Sequence, residues 1–257
     1  MDAPLHEFLP HNNEELSAFI AYLEKRRKKK VSKAEVNAVI DSMAEFNPML
    51  GHRGCRIAVS YPEIYAMQVK AIFEAAYALR EEKIAVNPEI MVPIVMNANE
   101  LKLIAYGKKI EGSSYQGIVD VEEELRSSMK AKAVPYKIGT MIELPAAALG
   151  AGDIAKYGRF FSFGTNDLTQ TTLGISRDDF TGFMPDYTLF DLIEGNPFST
   201  LDSRVKELIA LAVERGRRTR PDLSCGLCGE HGANPANVRF CMDAGLNYVS
   251  CSSYSVP

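Results

Sequence analysis

From residue 89 onward the apolar positions fall into a repeating order, in which short apolar runs alternate with longer segments of helical period. The runs are "EIMVPIVMN" (89–97), "YKIGTMIEL" (136–144), "RFFSFGTND" (159–167), "LSCGLCGE" (223–230) and "NYVSCSSY" (247–254). Near-continuous runs of this length predict strands covered on both faces. Between them, "ANELKLIAYGKKI", "DVEEELRSSMKAKA" within 111–134, "PAAALGAGDIAKY", residues 201–219 and "NPANVRFCMDAG" predict helices. Strands that alternate with helices predict a parallel sheet.

Ahead of this region the pattern is helical. Residues Asn12 to Phe46 predict two helices, the second opening near Ser32 in "SKAE", a capping-box sequence. Pro62 opens a further helix, in which Ile64, Met67, Ile72 and Ala75 recur at near-helical spacing and predict the apolar face. Residues 174–200 predict a long irregular connection rich in Asp, Gly and Pro, and a loop of that length in a folded domain usually serves a function. No repeat, low-complexity tract or linker interrupts the chain, so residues 1–257 are expected to form a single domain. Its length is close to the roughly 250 residues of a (β/α)8 barrel.

Composition narrows the picture further. A formal net charge of -4 gives no reason to expect a nucleic-acid partner. The basic block "KRRKKK" (25–30) follows a helical stretch and reads as a solvated helix end, where cations suit the dipole. The sequence has no apolar stretch of membrane-spanning length and its first residues do not read as a signal peptide. The expectation is therefore an intracellular chain without a membrane partner, cytoplasmic or in an organelle such as a plastid or glycosome. Cys55, Cys225, Cys228, Cys241 and Cys251 are odd in number, which predicts reduced thiols. Cys225 and Cys228 form C-x-x-C, but no second ligand pair at matching spacing completes a zinc site.

Unusual polar residues sit at the predicted strand ends. Glu143 closes one strand and Asp167 follows the next. Parallel neighbours lie roughly 4.8 Å apart, so two acids at one level can share a hard divalent cation such as Mg²⁺. The competing readings are a solvated carboxylate ahead of Pro145 for Glu143 and a helix N-cap for Asp167. Gly164, Thr165 and Asn166 enter the same helix, where a glycine and free amides suit an anion. Cys228, among glycines in "CGLCGEHG", suits proton transfer or nucleophilic attack, against the commoner fate of an inert buried thiol; Cys225, Cys241 and Cys251 read as core. Arg53, in the glycine-flanked "GHRGCR", can fork onto phosphate or carboxylate oxygens, and Arg177 in "SRDD" is a weaker candidate for the same task.

With these residues in view, the chain resembles the phosphoenolpyruvate (PEP)-utilising enzymes, in particular the PEP/pyruvate domain of their dikinase branch. The matching stretches are "PLHEFLP", "NPMLGHRGCR", "YPEIYAMQVKAIFEAA", "PEIMVPIV", "GTMIELPAAAL", "FFSFGTNDLTQ", "SRDD", "CGEHG" and "YVSCS". "GTNDLTQ" and the E-x-P-A-A-A pattern also occur in PEP synthase and in enzyme I of the sugar phosphotransferase system, whereas "LHEFLP" and "CGEHG" look like the dikinases. The resemblance implies an α/β fold, a (β/α)8 barrel that here lacks its first strands and its closing C-terminal helix. It implies that Glu143 and Asp167 ligate Mg²⁺, that Gly164, Thr165 and Asn166 contact substrate, that Arg53 holds phosphoryl or carboxylate oxygens, and that Cys228 donates the proton.

It further implies PEP and pyruvate as substrates, a phosphoryl-carrying histidine on a separate domain of a longer parent chain with its own ATP-binding domain, and a homodimeric parent enzyme. Two substrate arginines of the family fall before Met1, so the chain reads as a fragment, with exposed strand edges and without the full reaction. Two rivals stay open: a Mg²⁺-dependent carbon–carbon lyase of the related superfamily and a non-catalytic binding module.

Overall fold

Each apolar run from residue 89 onward contributes a strand to one sheet. The computed structural model describes residues 5–43 and 50–256. It opens with α1 (Asn13–Arg27), α2 (Lys33–Ser42), α3 (Cys55–Ser60) and α4 (Pro62–Glu81). Then come β1 (Glu89–Val92), α5 (Ala98–Tyr106), a hairpin of β2 (Lys108–Ile110) and β3 (Ser113–Tyr115), α6 (Ile118–Met129) and β4 (Lys137–Ile142). The chain continues through α7 (Pro145–Leu149), α8 (Ala151–Ile154), β5 (Phe160–Gly164), α9 (Thr165–Leu173), α10 (Met184–Leu189), α11 (Ser203–Thr219), β6 (Ser224–Cys228), α12 (Pro235–Asp243) and β7 (Tyr248–Val249).

Strands β1, β4, β5, β6 and β7 lie side by side in that order, and every neighbouring pair is parallel. Sheet order thus follows chain order without a reversal. Among the described residues β1 and β7 each pair on one side only, so the sheet has two open edges within a mixed α/β fold.

The register sorts the two faces. Val92, Thr140, Phe161 and Cys225 are aligned across four strands, as are Ile142, Phe163, Leu227 and Val249. Apart from Val249, which packs half-buried against it, this face is buried. It is covered by helices: a side chain at Gly216 of α11 would lie 2.8 Å from the Phe161 ring. The opposite face carries Gly139 and Met141 of β4, Phe160, Ser162 and Gly164 of β5, Gly226 and Cys228 of β6, and Tyr248 of β7. Here small residues accept large neighbours, since an added Cβ at Gly139 would strike the Phe160 ring at 2.5 Å and one at Gly226 the Tyr248 ring at 2.0 Å.

Local signals act where they were expected. Ser32 and Glu35 form the reciprocal capping box of α2. The basic block begins in the last turn of α1, which ends at Lys28 in the left-handed conformation. Other expectations need correction. Met67 of α4 is 61% exposed, and Ile72 and Ala75 are exposed as well; the helix buries Tyr65, Val69, Phe73, Ala76 and Tyr77 instead. Ile64 does pack half-buried against the core, so the buried stripe of α4 is offset from the one counted from sequence rather than opposite to it.

The segment "ANELKLIAYGKKI" stops being helical at Tyr106, because Gly107 adopts φ 70° and turns the chain into the β2–β3 hairpin. "PAAALGAGDIAKY" is two short helices separated at Gly150, and residues 174–200 contain α10 and a 3-10 turn at Phe180–Gly182. Cys251 is half-buried, not core. The predicted helix end at 44–46, with residues 47–49 of "NPMLGHRGCR", lies outside the described residues.

Candidate active site

Extending the register by one residue past Ile142 and Phe163 puts Glu143 beside Gly164, which is itself aligned with Cys228. A carboxylate, a glycine and a thiol therefore stand at one level at the C-terminal ends of three adjacent parallel strands. In α/β folds with parallel sheets this edge is where ligands bind. The Glu143 side chain is directed across Gly164: a Cβ at that position would lie 2.7 Å from Glu143 Oε2 and 2.6 Å from Met141 Sδ. The glycine is required sterically, because its φ of -82° is open to any residue. Glu143 is 1% exposed, and its Oε1 accepts the Ile94 amide at 2.5 Å.

Asp167 sits in the first turn of α9, whose N-cap is Gly164, so the N-cap reading of Asp167 is set aside. Its Oδ2 accepts from Arg53 Nη2 at 3.3 Å, with side-chain exposures of 7% for Arg53 and 14% for Asp167, and its Oδ1 accepts from Gln170 Nε2 at 3.2 Å. Arg53 and Asp167, 114 positions apart, are thus joined. Next to Asp167, Asn166 has a buried Oδ1 with no hydrogen-bond partner, on the side of Gly229 in the loop after β6. A buried amide oxygen left unpaired is costly and marks a place for a donor or a cation.

Thr165 is fully buried, and its Oγ1 lies 2.8 Å from His231 Nδ1 and 3.2 Å from the Cys228 carbonyl. The other imidazole nitrogen, Nε2, lies 2.8 Å from the Pro197 carbonyl, which can only accept, so Nε2 carries the proton. Burial holds the His231 pKa below the ordinary 6.5, so the ring is neutral at neutral pH with Nδ1 as its acceptor, and the single Thr165 hydroxyl proton is shared between Nδ1 and the Cys228 carbonyl. The imidazole thereby ties the start of α9 to the loop after β6 and to the end of the 174–200 connection. That connection is held at its other end too, where the Arg177 amide donates to Gln170 Oε1 at 2.8 Å and the Arg177 guanidinium pairs with Glu230. Arg177 therefore reaches the rim of the site with its charge engaged by Glu230.

The sign of the His231 linkage follows directly. The unfolded imidazole takes up a proton near pH 6.5 and the folded one resists it, so stability falls as pH drops below that value and is regained above it. Denaturant unfolding at about pH 5.5 and about pH 7.5 should show this loss in the native chain and a smaller one in His231→Asn, which keeps an acceptor near Nδ1 but cannot titrate.

Cys228 is half-buried, with Sγ 3.5 Å from the Phe163 carbonyl. Burial pushes Cys55 up to about 12 and Cys225 and Cys241 up to about 11, leaving them protonated and shielded at neutral pH. Iodoacetamide near neutral pH should therefore alkylate Cys228 and Cys251 well ahead of the other three thiols, as read by peptide mass spectrometry.

Sequence reading missed several residues of this region. Ser162 lies two positions before Gly164 on the same strand face, and strand periodicity would have found it. Tyr248, packed over Gly226, faces the same side; its hydroxyl bonds Ser162, and burial raises its pKa. Nothing local signals the role of His231, whose partners are 34 and 66 positions away. Among the described residues no group of three or more His, Cys, Asp and Glu side chains is gathered to hold a metal ion. The donors that Glu143, Asp167 and Asn166 offer near this strand edge are all oxygens, a chemistry that suits Mg²⁺, which takes few protein ligands and leaves its remaining positions to water and substrate. None of the helices among the described residues is long and apolar enough to cross a membrane.

The chain is an α/β domain with an acidic, thiol-bearing edge at the C-terminal ends of its parallel strands, and comparison with known proteins supplies the family. The family model described as "PEP-utilising enzyme, PEP-binding domain" matches residues 1–257, and the chain belongs to that family. It is 67% identical over 257 residues to "Pyruvate, phosphate dikinase" of Treponema pallidum (strain Nichols), covering 100% of this chain and 28% of that protein. It is 48% identical over 259 residues to the protein of that name from Clostridium symbiosum and 51% identical over 259 residues to that from Rhizobium meliloti (strain 1021). In both cases the whole of this chain is covered, with 28% and 27% of the relative. The chain thus spans little more than a quarter of the length of these relatives, which are transferases by name.

Proposed function

We propose that this chain is the PEP/pyruvate-binding part of a dikinase-type phosphotransferase, interconverting PEP and pyruvate with a histidine on a separate domain of the parent protein. The observation that carries this reading is the placement of Glu143, Asp167 and Cys228 at the C-terminal edge of the sheet, with the unpaired Asn166 oxygen next to Asp167 in sequence. A parallel sheet in chain order, with both edges open among the described residues, supports the view that the parent fold is a (β/α)8 barrel completed by further strands. The relatives' greater length leaves room for those strands and for the ATP-binding and phosphohistidine domains.

In this reading Glu143 and Asp167 hold Mg²⁺, with Asn166 supplying an oxygen to the same cluster. Bound there, the ion would supply Lewis-acid stabilisation of negative charge on the substrate oxygens. Arg53, already at Asp167, is the guanidinium placed to meet phosphoryl or carboxylate oxygens. Gly164 and Thr165 shape the substrate floor, and Arg177 closes the rim through Glu230.

In the PEP-consuming direction the P–O bond of PEP breaks and an N–P bond forms on the carrier histidine, leaving the enolate of pyruvate. Cys228 then gives its S–H proton to the methylene carbon, producing pyruvate and a thiolate that is reprotonated from solvent. The reverse sequence makes PEP. A homodimeric parent enzyme is part of the same proposal.

Calorimetric titration of PEP in the presence of Mg²⁺ tests the reading. The native chain should bind, Glu143→Ala should lose at least tenfold in affinity while keeping its circular dichroism, and omission of Mg²⁺ should act similarly. Equal affinity in the presence and absence of both the acid and the ion would refute it.

A further inference from the structure

Residues 53–55 touch both strand-end acids, one directly and one through a strained residue. We infer that Arg53–Gly54–Cys55 is a positioning clasp that fixes Asp167 and Glu143 relative to one another, with Ile94 as its contact to Glu143. The inference rests on the proposal that these two acids share a divalent cation, and it adds the residues that set their spacing.

The clasp closes on the turn that follows β1. Ladder pairing with β4 stops at Val92–Thr140, and Pro93 has no amide to continue it. Ile94 then adopts φ 54°, in the left-handed region that a β-branched residue normally avoids. This turn diverts the Ile94 amide from the sheet to Glu143 Oε1 at 2.5 Å. Strain of this kind persists only where the surroundings impose it.

Three contacts from the clasp impose it here. The Cys55 amide donates to the Pro93 carbonyl at 3.1 Å, and the Cys55 thiol donates to the Ile94 carbonyl at 3.2 Å. Gly54, at φ 57°, lies so close that a Cβ would stand 2.4 Å from Ile94 Cγ2 and 3.0 Å from the Pro93 carbonyl oxygen. Both sides of the strained residue are therefore gripped. The Cys55 thiol, held protonated by burial, keeps its donor across the neutral range.

Arg53, one residue earlier, reaches Asp167 at 3.3 Å. The 53–55 turn thus holds Asp167 directly by charge and Glu143 indirectly, by gripping the Ile94 residue whose amide binds it, while Gly164 admits the second oxygen of Glu143 from the other side. The acids come from different elements 24 positions apart by number, and nothing in either element alone fixes their separation.

Amide hydrogen exchange at Ile94, followed by NMR, and Mn²⁺ affinity, followed by calorimetry, test the clasp on the chain itself. Cys55→Ala should speed Ile94 exchange about tenfold and weaken Mn²⁺ about tenfold with the thermal midpoint little changed, and Cys55→Ser should restore both. Gly54→Ala should act in the same direction and more strongly; if it does not fold, the Cys55 pair decides. Unchanged Ile94 exchange in Cys55→Ala overturns the clasp. So does normal Mn²⁺ affinity in the clasp variants when Glu143→Gln has lost it. If Glu143→Gln binds Mn²⁺ like the native chain, or neither binds, the shared-cation proposal fails and Ile94 exchange alone judges the clasp.

Discussion

Gly164→Ala should reduce Mg²⁺-dependent PEP binding on the order of 10²-fold, because a displacement of about 1 Å in a ligating group is enough for a loss of that size. The added methyl would sit 2.6 Å from Met141 Sδ and 2.7 Å from Glu143 Oε2. Met141 is flexible and can yield, but Glu143 is anchored through Oε1 at Ile94 and its Cβ would also stand 2.9 Å from the new methyl, so relief must come by displacing the Glu143 side chain from its observed position. The backbone at Gly164 has an ordinary φ of -82°, so alanine is not strained there and the sheet should survive. Circular dichroism should be preserved while calorimetry shows the loss. Native affinity in Gly164→Ala would mean that Glu143 does not act from its observed position.

The second large effect is on stability. Arg53→Met should cost about 3 kcal/mol in denaturant unfolding without added metal, since it leaves the charge of Asp167 facing a largely buried site. Arg53 and Asp167 side chains are 7% and 14% exposed, so solvent screening offers little relief. Gln170 remains as one donor to Asp167 and softens the cost. Added Mg²⁺ should recover part of the loss, more than it stabilises the native chain, because the cation then replaces the missing guanidinium. PEP binding should stay weak even with Mg²⁺, as the donors to substrate oxygens are gone. An Arg53→Met chain as stable as the native one would show that Asp167 needs no partner there.

These expectations could be framed from sequence only in part. Alternation of apolar runs and helical segments was enough to give the parallel sheet, and the position of Glu143 and Asp167 after their runs was enough to place them at its C-terminal edge. Hairpin β2–β3 escaped because Lys108–Ile110 and Ser113–Tyr115 are short and exposed, so neither burial nor periodicity marks them. The face of α4 was misread because near-helical spacing admits more than one stripe, and only packing against the sheet selects Phe73 and Tyr77 over Met67 and Ile72.

What the sequence determined by itself is the local order: strands, helix starts and the polar residues left at strand ends, because period, capping and turn chemistry act over a few neighbours. Tertiary structure alone decided which of those residues meet. It joined Arg53 to Asp167, turned the Ile94 amide onto Glu143, set the His231 tautomer through Thr165 and Pro197, and occupied Arg177 with Glu230. Each of these links spans 34 or more positions, and contacts so distant are fixed by how strands align and layers pack, which no local pattern encodes.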